Sequence, residues 1–157
     1  MVNITPEITD FLKHSNAIEQ VFDDISLADA ENAFSFITSF KQIDVRNLLH
    51  CHEVLMYNQP IEEEYKGKFR NCPVWIGNWE CAHYSLIPWW MDDFIERINK
   101  GDDWRETHVF FEKCHPFVDG NGRVGRILMN WHRLRLGLPI LDINTVEEVS
   151  DYYSWFS

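Results

Sequence analysis

Basic residues are scarce in this chain of 157 residues. Fourteen Lys and Arg stand against 25 Asp and Glu, a formal net charge of −11. A nucleic-acid surface wants a basic patch, so no nucleic-acid partner is expected. Long apolar runs are missing too. No stretch approaches the ~20 residues needed to cross a bilayer. The start, MVNITPEITDFLKH, lacks the basic flank and apolar centre of a signal peptide. The expectation is a cytoplasmic protein with no membrane association. Cys51, Cys72, Cys81 and Cys114 include no CxxC pair, and Cys72, Cys81 and His83 fit no standard zinc spacing. Free, mostly buried thiols are expected. Repeats and low-complexity linkers are absent. With 45% hydrophobic residues, the chain is long enough for one compact domain over 1–157.

What remains is mostly helical in rhythm. Helix-like apolar stripes run over 5–22, 28–40, 45–56, 88–99, 104–114, 122–137 and 145–155. In the first, Ile8, Phe11, Ile18 and Phe22 form one broad stripe. Asp44 suits an N-cap and Pro88 the first turn of a helix. Residues 67–82, GKFRNCPVWIGNWECA, break this rhythm. They partly alternate and place Gly77-Asn78 between Trp75-Ile76 and Trp79, a hairpin turn. The fold class is mainly α, a helical bundle with one β-hairpin.

The densest chemistry lies in His115–Arg126, HPFVDGNGRVGR. Pro116 stops the preceding helix near His115. Gly120 and Gly122 bracket Asn121 and permit positive φ and close backbone approach to a ligand. Ile127, Trp131, Leu134 and Leu138 then mark one face of a helix that Gly137 and Pro139 end. The motif therefore reads helix, tight loop, helix. The second helix starts with unpaired N–H groups, an anion site. Arg123 and Arg126, three apart, reach one side with planar forks suited to phosphate. Asp119 is unfavourable beside an anion unless a cation such as Mg²⁺ sits between them. His115 titrates near neutrality and suits proton removal from an attacking hydroxyl. Near the N-terminus, HSNAIEQ puts Ser15 and Glu19 four apart on one helix face.

The His115–Arg126 run matches the HPFx[DE]GNGRxxR signature of the Fic family without a mismatch, and the chain resembles that family over roughly 8–155. The resemblance implies a Fic fold and transfer of AMP from ATP to a Ser, Thr or Tyr hydroxyl of a protein. It implies His115 as general base and Asp119 as the Mg²⁺ ligand. Gly120, Asn121 and Gly122 would form the anion hole, with Arg123 and Arg126 on the β- and γ-phosphates and Phe117 packed beneath the loop. Gly122 separates the chain from the related Doc-like branch, where lysine stands and the reaction is phosphorylation. HSNAIEQ resembles the inhibitory [ST]xxxE[GN] motif of the N-terminally inhibited class. This implies Glu19 pairing with Arg126 to block the γ-phosphate, with 5–22 as the inhibitory helix. Gln20 departs from the motif's glycine or asparagine. Gly67, Arg70, Val74, Ile76 and Gly77 resemble the Fic flap, so Val74, Trp75, Ile76 and Gly77 would dock the target by strand addition. Tyr152 and Tyr153 resemble a tyrosine pair lining the adenine side. Removal of AMP at the same site, or a catalytically silent ATP-binding module, are the alternatives. Self-modification and a homo-oligomer are compatible with the sequence.

Overall fold

A computed structural model describes residues 2–157. Among them, seven α-helices and one two-stranded hairpin follow the order α1 (Pro6–Ile18), α2 (Asp24–Thr38), α3 (Val45–Leu55), β1 (Trp75–Ile76), β2 (Trp79–Glu80), α4 (Ile87–Lys100), α5 (Trp104–Cys114), α6 (Asn121–Arg135) and α7 (Val146–Ser154). The mainly α expectation holds. Starts are set by short polar side chains that accept N–H groups of the first turn: Thr5, Asp23, Asp44, Asp103 and Thr145. Asp44 and Thr145 complete capping boxes with Asn47 and Glu148. Pro88 lies in the first turn of α4.

α6 is the axis of the bundle and packs against α1, α2, α3 and α5. Its residues from Val124 to Arg133 are buried without interruption. Apolar periodicity explains one face only, through Val124, Ile127, Leu128 and Trp131, which join Phe11, Phe34, Phe94 and Phe111 in the main core. The other face is polar and buried, so each charged group there needs a partner. α7 covers this face with Tyr152, in a small cluster with Met129 and Ile143.

Several boundaries differ from the sequence reading. The helix expected over 5–22 stops at Ile18. Gln20 turns left-handed with φ 61°, and Phe22 lies outside the helix, 72% exposed. α2 begins at Asp24, four residues before the apolar stripe, because Asp23 caps it there. Leu138 lies beyond α6, which closes at Gly137 with φ 78°. The hairpin occupies only 75–76 and 79–80 of the segment 67–82. Trp75 pairs with Glu80 and Ile76 with Trp79, with positive φ at Gly77 alone in the turn.

Candidate active site

His115 caps α5 in a left-handed conformation, φ 54° and ψ 64°, so the helix stops ahead of Pro116 as expected. Its carbonyl accepts from Arg70 Nε at 2.7 Å, and the Arg70 N–H donates to the Pro116 carbonyl at 2.9 Å. Arg70 is buried and also donates to the carbonyls of Cys72, Ala82 and Cys114. One guanidinium thus ties the end of α5 to both flanks of the hairpin. The His115 Nδ1 faces the Glu112 carbonyl at 3.3 Å, which accepts only, so Nδ1 carries the proton. Nε2 is left as a free acceptor. Burial lowers the His115 pKa, so the ring is neutral near pH 7.

The loop after His115 is built from short internal bonds. The Asn121 side chain accepts from the Phe117 N–H and donates to the Phe117 carbonyl, both at 2.8 Å. That side chain is therefore committed to the loop, and only its backbone N–H faces an anion. Phe117 is fully buried, as expected. Gly120 has φ 87°, and a Cβ there would lie 2.7 Å from Met56 Sδ, so glycine is required twice over. Gly122 has ordinary helical φ and does not use the freedom that glycine permits there. Its need is space, since a Cβ would sit 2.4 Å from Glu19 Oε1. No side chain caps α6, and its first helical bond runs from the Val124 N–H to the Gly120 carbonyl. The N–H groups of Asn121, Gly122 and Arg123 stay available to an anion.

The two arginines fan apart. Arg123 Nη1 donates to Gln59 Oε1 at 3.0 Å, and its Nη2 lies 3.6 Å from Asp119 Oδ1. The Arg126 side chain is 2% exposed. It donates from Nε to Ser15 Oγ at 2.7 Å, from Nη2 to the Ser15 carbonyl at 3.0 Å and to Glu19 Oε1 at 2.8 Å, and from Nη1 to Tyr152 Oη at 3.3 Å. Ser15, Glu19 and Arg126 are thus brought together from 107 residues apart or more. A cleft of about 560 Å³ is lined by Glu19, His115, Asp119, the turn Gly120–Gly122, both arginines and both tyrosines, with Ile76 and Trp79 at its rim. Val74, Trp75 and Gly77 are not among its lining residues.

Tyr152 and Tyr153 have separate surroundings. Tyr153 is half exposed, whereas Tyr152 is buried. His108 Nδ1 lies 3.2 Å from the Gly125 carbonyl, so it carries the proton. His108 Nε2 then accepts the Tyr152 hydroxyl at 2.8 Å, leaving the tyrosine oxygen to receive Arg126. Burial first, and Arg126 second, drop the His108 pKa to about 3, which keeps it a neutral acceptor.

Residues that the sequence reading missed hold this frame. His52 Nδ1 accepts the Gly67 N–H at 3.0 Å, so its Nε2 carries the proton donated to the Asp119 carbonyl at 2.9 Å. Its ring stacks on Phe117 at 3.8 Å. Burial lowers its pKa to about 4. Gln59 bonds Ser26 as well as Arg123. Glu112, beneath the cleft, has Oε1 buried without a partner against Gly125, where a Cβ would lie 1.9 Å away. Burial raises its carboxyl to about 8, with Arg126 pulling down and Glu19 pushing up. Only the position of Glu112 three residues before His115 on one helix face could have singled it out.

Asp119 fits a divalent cation in one respect. Its side chain is half exposed, and Oδ1 accepts the Gly120 N–H at 2.8 Å, with the cleft beside it. Among the described residues no group of three His, Cys, Asp or Glu could enclose a metal. This donor set suits Mg²⁺, which is commonly held by one or two carboxylates together with phosphates and water. None of the described helices is long and apolar enough to cross a membrane.

A sequence model described as the Fic/DOC family matches residues 42–132, more than half of the chain. The chain is similar to protein adenylyltransferase fic-1 of Caenorhabditis briggsae, 29% identical over 122 residues, 72% of this chain and 23% of that protein. It is similar to protein adenylyltransferase Fic of Nematostella vectensis, 26% identical over 139 residues, 78% of this chain and 30% of that protein. The chain spans less than a third of the length of these curated relatives. Its fold matches Fic-1 from C. elegans with a TM-score of 0.79 at 19% identity, over 97% of this chain and 55% of that one. It matches a Fic family protein from Desulfovibrio desulfuricans with a TM-score of 0.73 at 21% identity, over 96% and 57%.

Two outcomes follow from these contacts. His52→Phe keeps the stack but orphans the Gly67 N–H and the Asp119 carbonyl, so urea denaturation should show a loss of about 2–4 kcal/mol. A change below about 0.5 kcal/mol, the range of ordinary surface substitutions, would mean that the clamp is idle. Glu112 holds its proton more tightly folded than unfolded, so its contribution to stability is full below about pH 4.5 and is lost as pH rises towards about 8. Denaturation midpoints of Glu112→Gln relative to wild type should rise steadily across that window and level above it. Parallel pH curves would refute the buried neutral acid.

Proposed function

The chain belongs to the Fic/DOC family, and from that premise we propose that it is a protein adenylyltransferase restrained by its own Glu19. The co-substrate is ATP with Mg²⁺, and the acceptor is a Ser, Thr or Tyr hydroxyl of a protein. One convergence carries the reading. A neutral imidazole with a free nitrogen faces the same cleft as a helix N-terminus flanked by two arginines. The names of the curated relatives support it.

The residues divide the work as follows. His115 Nε2 takes the proton of the acceptor hydroxyl. The hydroxyl oxygen forms a bond to the α-phosphorus, the bond from that phosphorus to the bridging oxygen breaks, and pyrophosphate leaves. The backbone N–H groups of Asn121, Gly122 and Arg123 face the α- and β-phosphates, with the positive end of α6 behind them. Arg123 and Arg126 offer forks to the β- and γ-phosphates. Asp119 would hold Mg²⁺, whose charge offsets that of the phosphates. Ile76 and Trp79 at the cleft rim support docking of the target segment along the hairpin through β1 and its flanks, Val74, Trp75, Ile76 and Gly77. Tyr153 offers an open aromatic face to the adenine, while Tyr152 acts through Arg126.

Glu19 supplies the restraint. Its carboxylate occupies Arg126 at 2.8 Å and lies where a Gly122 side chain would otherwise extend. A phosphate reaching Arg126 must displace it. The Glu19 side chain is 38% exposed and lines the cleft, which favours one second reading, hydrolytic removal of AMP with Glu19 orienting water.

Label transfer from α-³²P-ATP and γ-³²P-ATP separates these readings, in lysate and with purified protein. Glu19→Gly should raise α-label transfer about 10–100-fold, the worth of one charge-assisted hydrogen bond. Adding His115→Ala should then cut it by about 10²–10⁴-fold. Label from the γ position would indicate phosphorylation instead. No α-label in any variant, with AMP removed from a modified protein by wild type alone, would favour hydrolysis.

A further inference from the structure

Two non-glycine residues have positive φ among the described residues, His115 and Gln20. Gln20 directly follows Glu19. The end of α1 closes by a recurrent pattern, in which the Gln20 N–H donates to the Ala17 carbonyl at 3.0 Å and the Val21 N–H to the Asn16 carbonyl at 3.1 Å. This double closure needs a left-handed residue between cap and exit, a place normally taken by glycine. The chain makes the same closure again at α6. There the Gly137 N–H donates to the Leu134 carbonyl at 3.0 Å and the Leu138 N–H to the Arg133 carbonyl at 2.9 Å. Glycine fills the left-handed place at α6, with φ 78° and no atom within 4 Å of a Cβ. At α1 the same place holds glutamine, whose exposed side chain makes no hydrogen bond among the described residues that would offset the strain.

We propose that Gln20 is a tuning residue for the Glu19 restraint, its backbone strain keeping the Glu19–Arg126 contact reversible. The proposal rests on Glu19 competing with phosphate for Arg126. Glu19 is the cap residue of α1, so its position depends on this closure. When Gln20 relaxes to negative φ, the Val21 bond to Asn16 is lost and Glu19 is freed from the helix end. The open form carries no left-handed penalty, and the closed form does. A non-glycine residue in that region disfavours it by a factor on the order of five or more. The contact therefore holds Arg126 at rest, yet it yields to a triphosphate more readily than one built on glycine.

The test compares full-length wild type with Gln20→Gly, Gln20→Asn and Gln20→Val. The measurements are ATP affinity by equilibrium dialysis and Val21 amide exchange relative to core amides. Gln20→Gly should slow Val21 exchange and weaken ATP binding, each by about fivefold. Asparagine should act in the same direction, and β-branched valine in the opposite one. In a Glu19→Gly background, Gln20→Gly should leave ATP affinity unchanged. Unchanged affinity in Gln20→Gly would overturn the proposal, as would an equal change with and without Glu19. These binding and exchange readouts do not require turnover. Absence of AMP transfer would defeat the proposed reaction and leave the role of Gln20 to be decided by binding.

Discussion

A guanidinium in the interior of a helical bundle must have its donors answered from several directions, and Arg126 draws α1, α6 and α7 together for that reason. Ser15 contributes a hydroxyl and a carbonyl, Glu19 a carboxylate, and Tyr152 a hydroxyl that His108 holds in place. An unpaired charge in such surroundings is strongly unfavourable. On the proposed reading, the same demand makes Arg126 a point of competition. Three of its partners are fixed in helices, and the fourth, Glu19, sits at a helix end beside the cleft. The proposed restraint uses Glu19 because, of the three residues Ser15, Glu19 and Tyr152, it alone lies outside a helix. Gly122 completes the arrangement by leaving the space that the carboxylate fills.

A second frame holds the His115 side of the cleft. His52 clamps the Asp119 carbonyl to the start of the segment that leads to the hairpin, and Arg70 ties that segment to His115 through backbone carbonyls. The left-handed His115 and the tight loop beyond it are supported from outside, through groups that need not touch a nucleotide. Neutral histidines suit this task. Burial pushes the pKa of His52 and His108 far enough down that each keeps one donor and one acceptor throughout the neutral range.

Much of this was legible in the sequence where chemistry is local. His115–Arg126 specifies nearly every position of a short frame, and caps such as Asp44 sit beside the N–H groups they bind. Pairing of Glu19 with Arg126 came from a resemblance of motifs, and no local pattern contains it; the two bonds from Arg126 to Ser15 were not foreseen. Partners such as His52, Gln59 and His108 were illegible, because each is a lone polar residue whose counterpart lies on another element, and the flap resemblance that named Arg70 did not contain its bonds to the end of α5. The polar buried face of α6 likewise has no apolar period to reveal it. The left-handed turn at Gln20 runs against local preference, so the apolar stripe to Phe22 extends past the true helix end at Ile18. The resemblance that named Tyr152 for its aromatic ring did not contain the bonds of its hydroxyl to His108 and Arg126.

The most direct test of competition at Arg126 is nucleotide selectivity. ATP and ADP affinities should be measured for wild type and Glu19→Gly under the same Mg²⁺ and salt. If Glu19 occupies the place of the terminal phosphate, Glu19→Gly should tighten ATP binding about tenfold or more while ADP changes little. An equal gain for both nucleotides, or none for ATP, would contradict the role assigned to the Glu19–Arg126 contact.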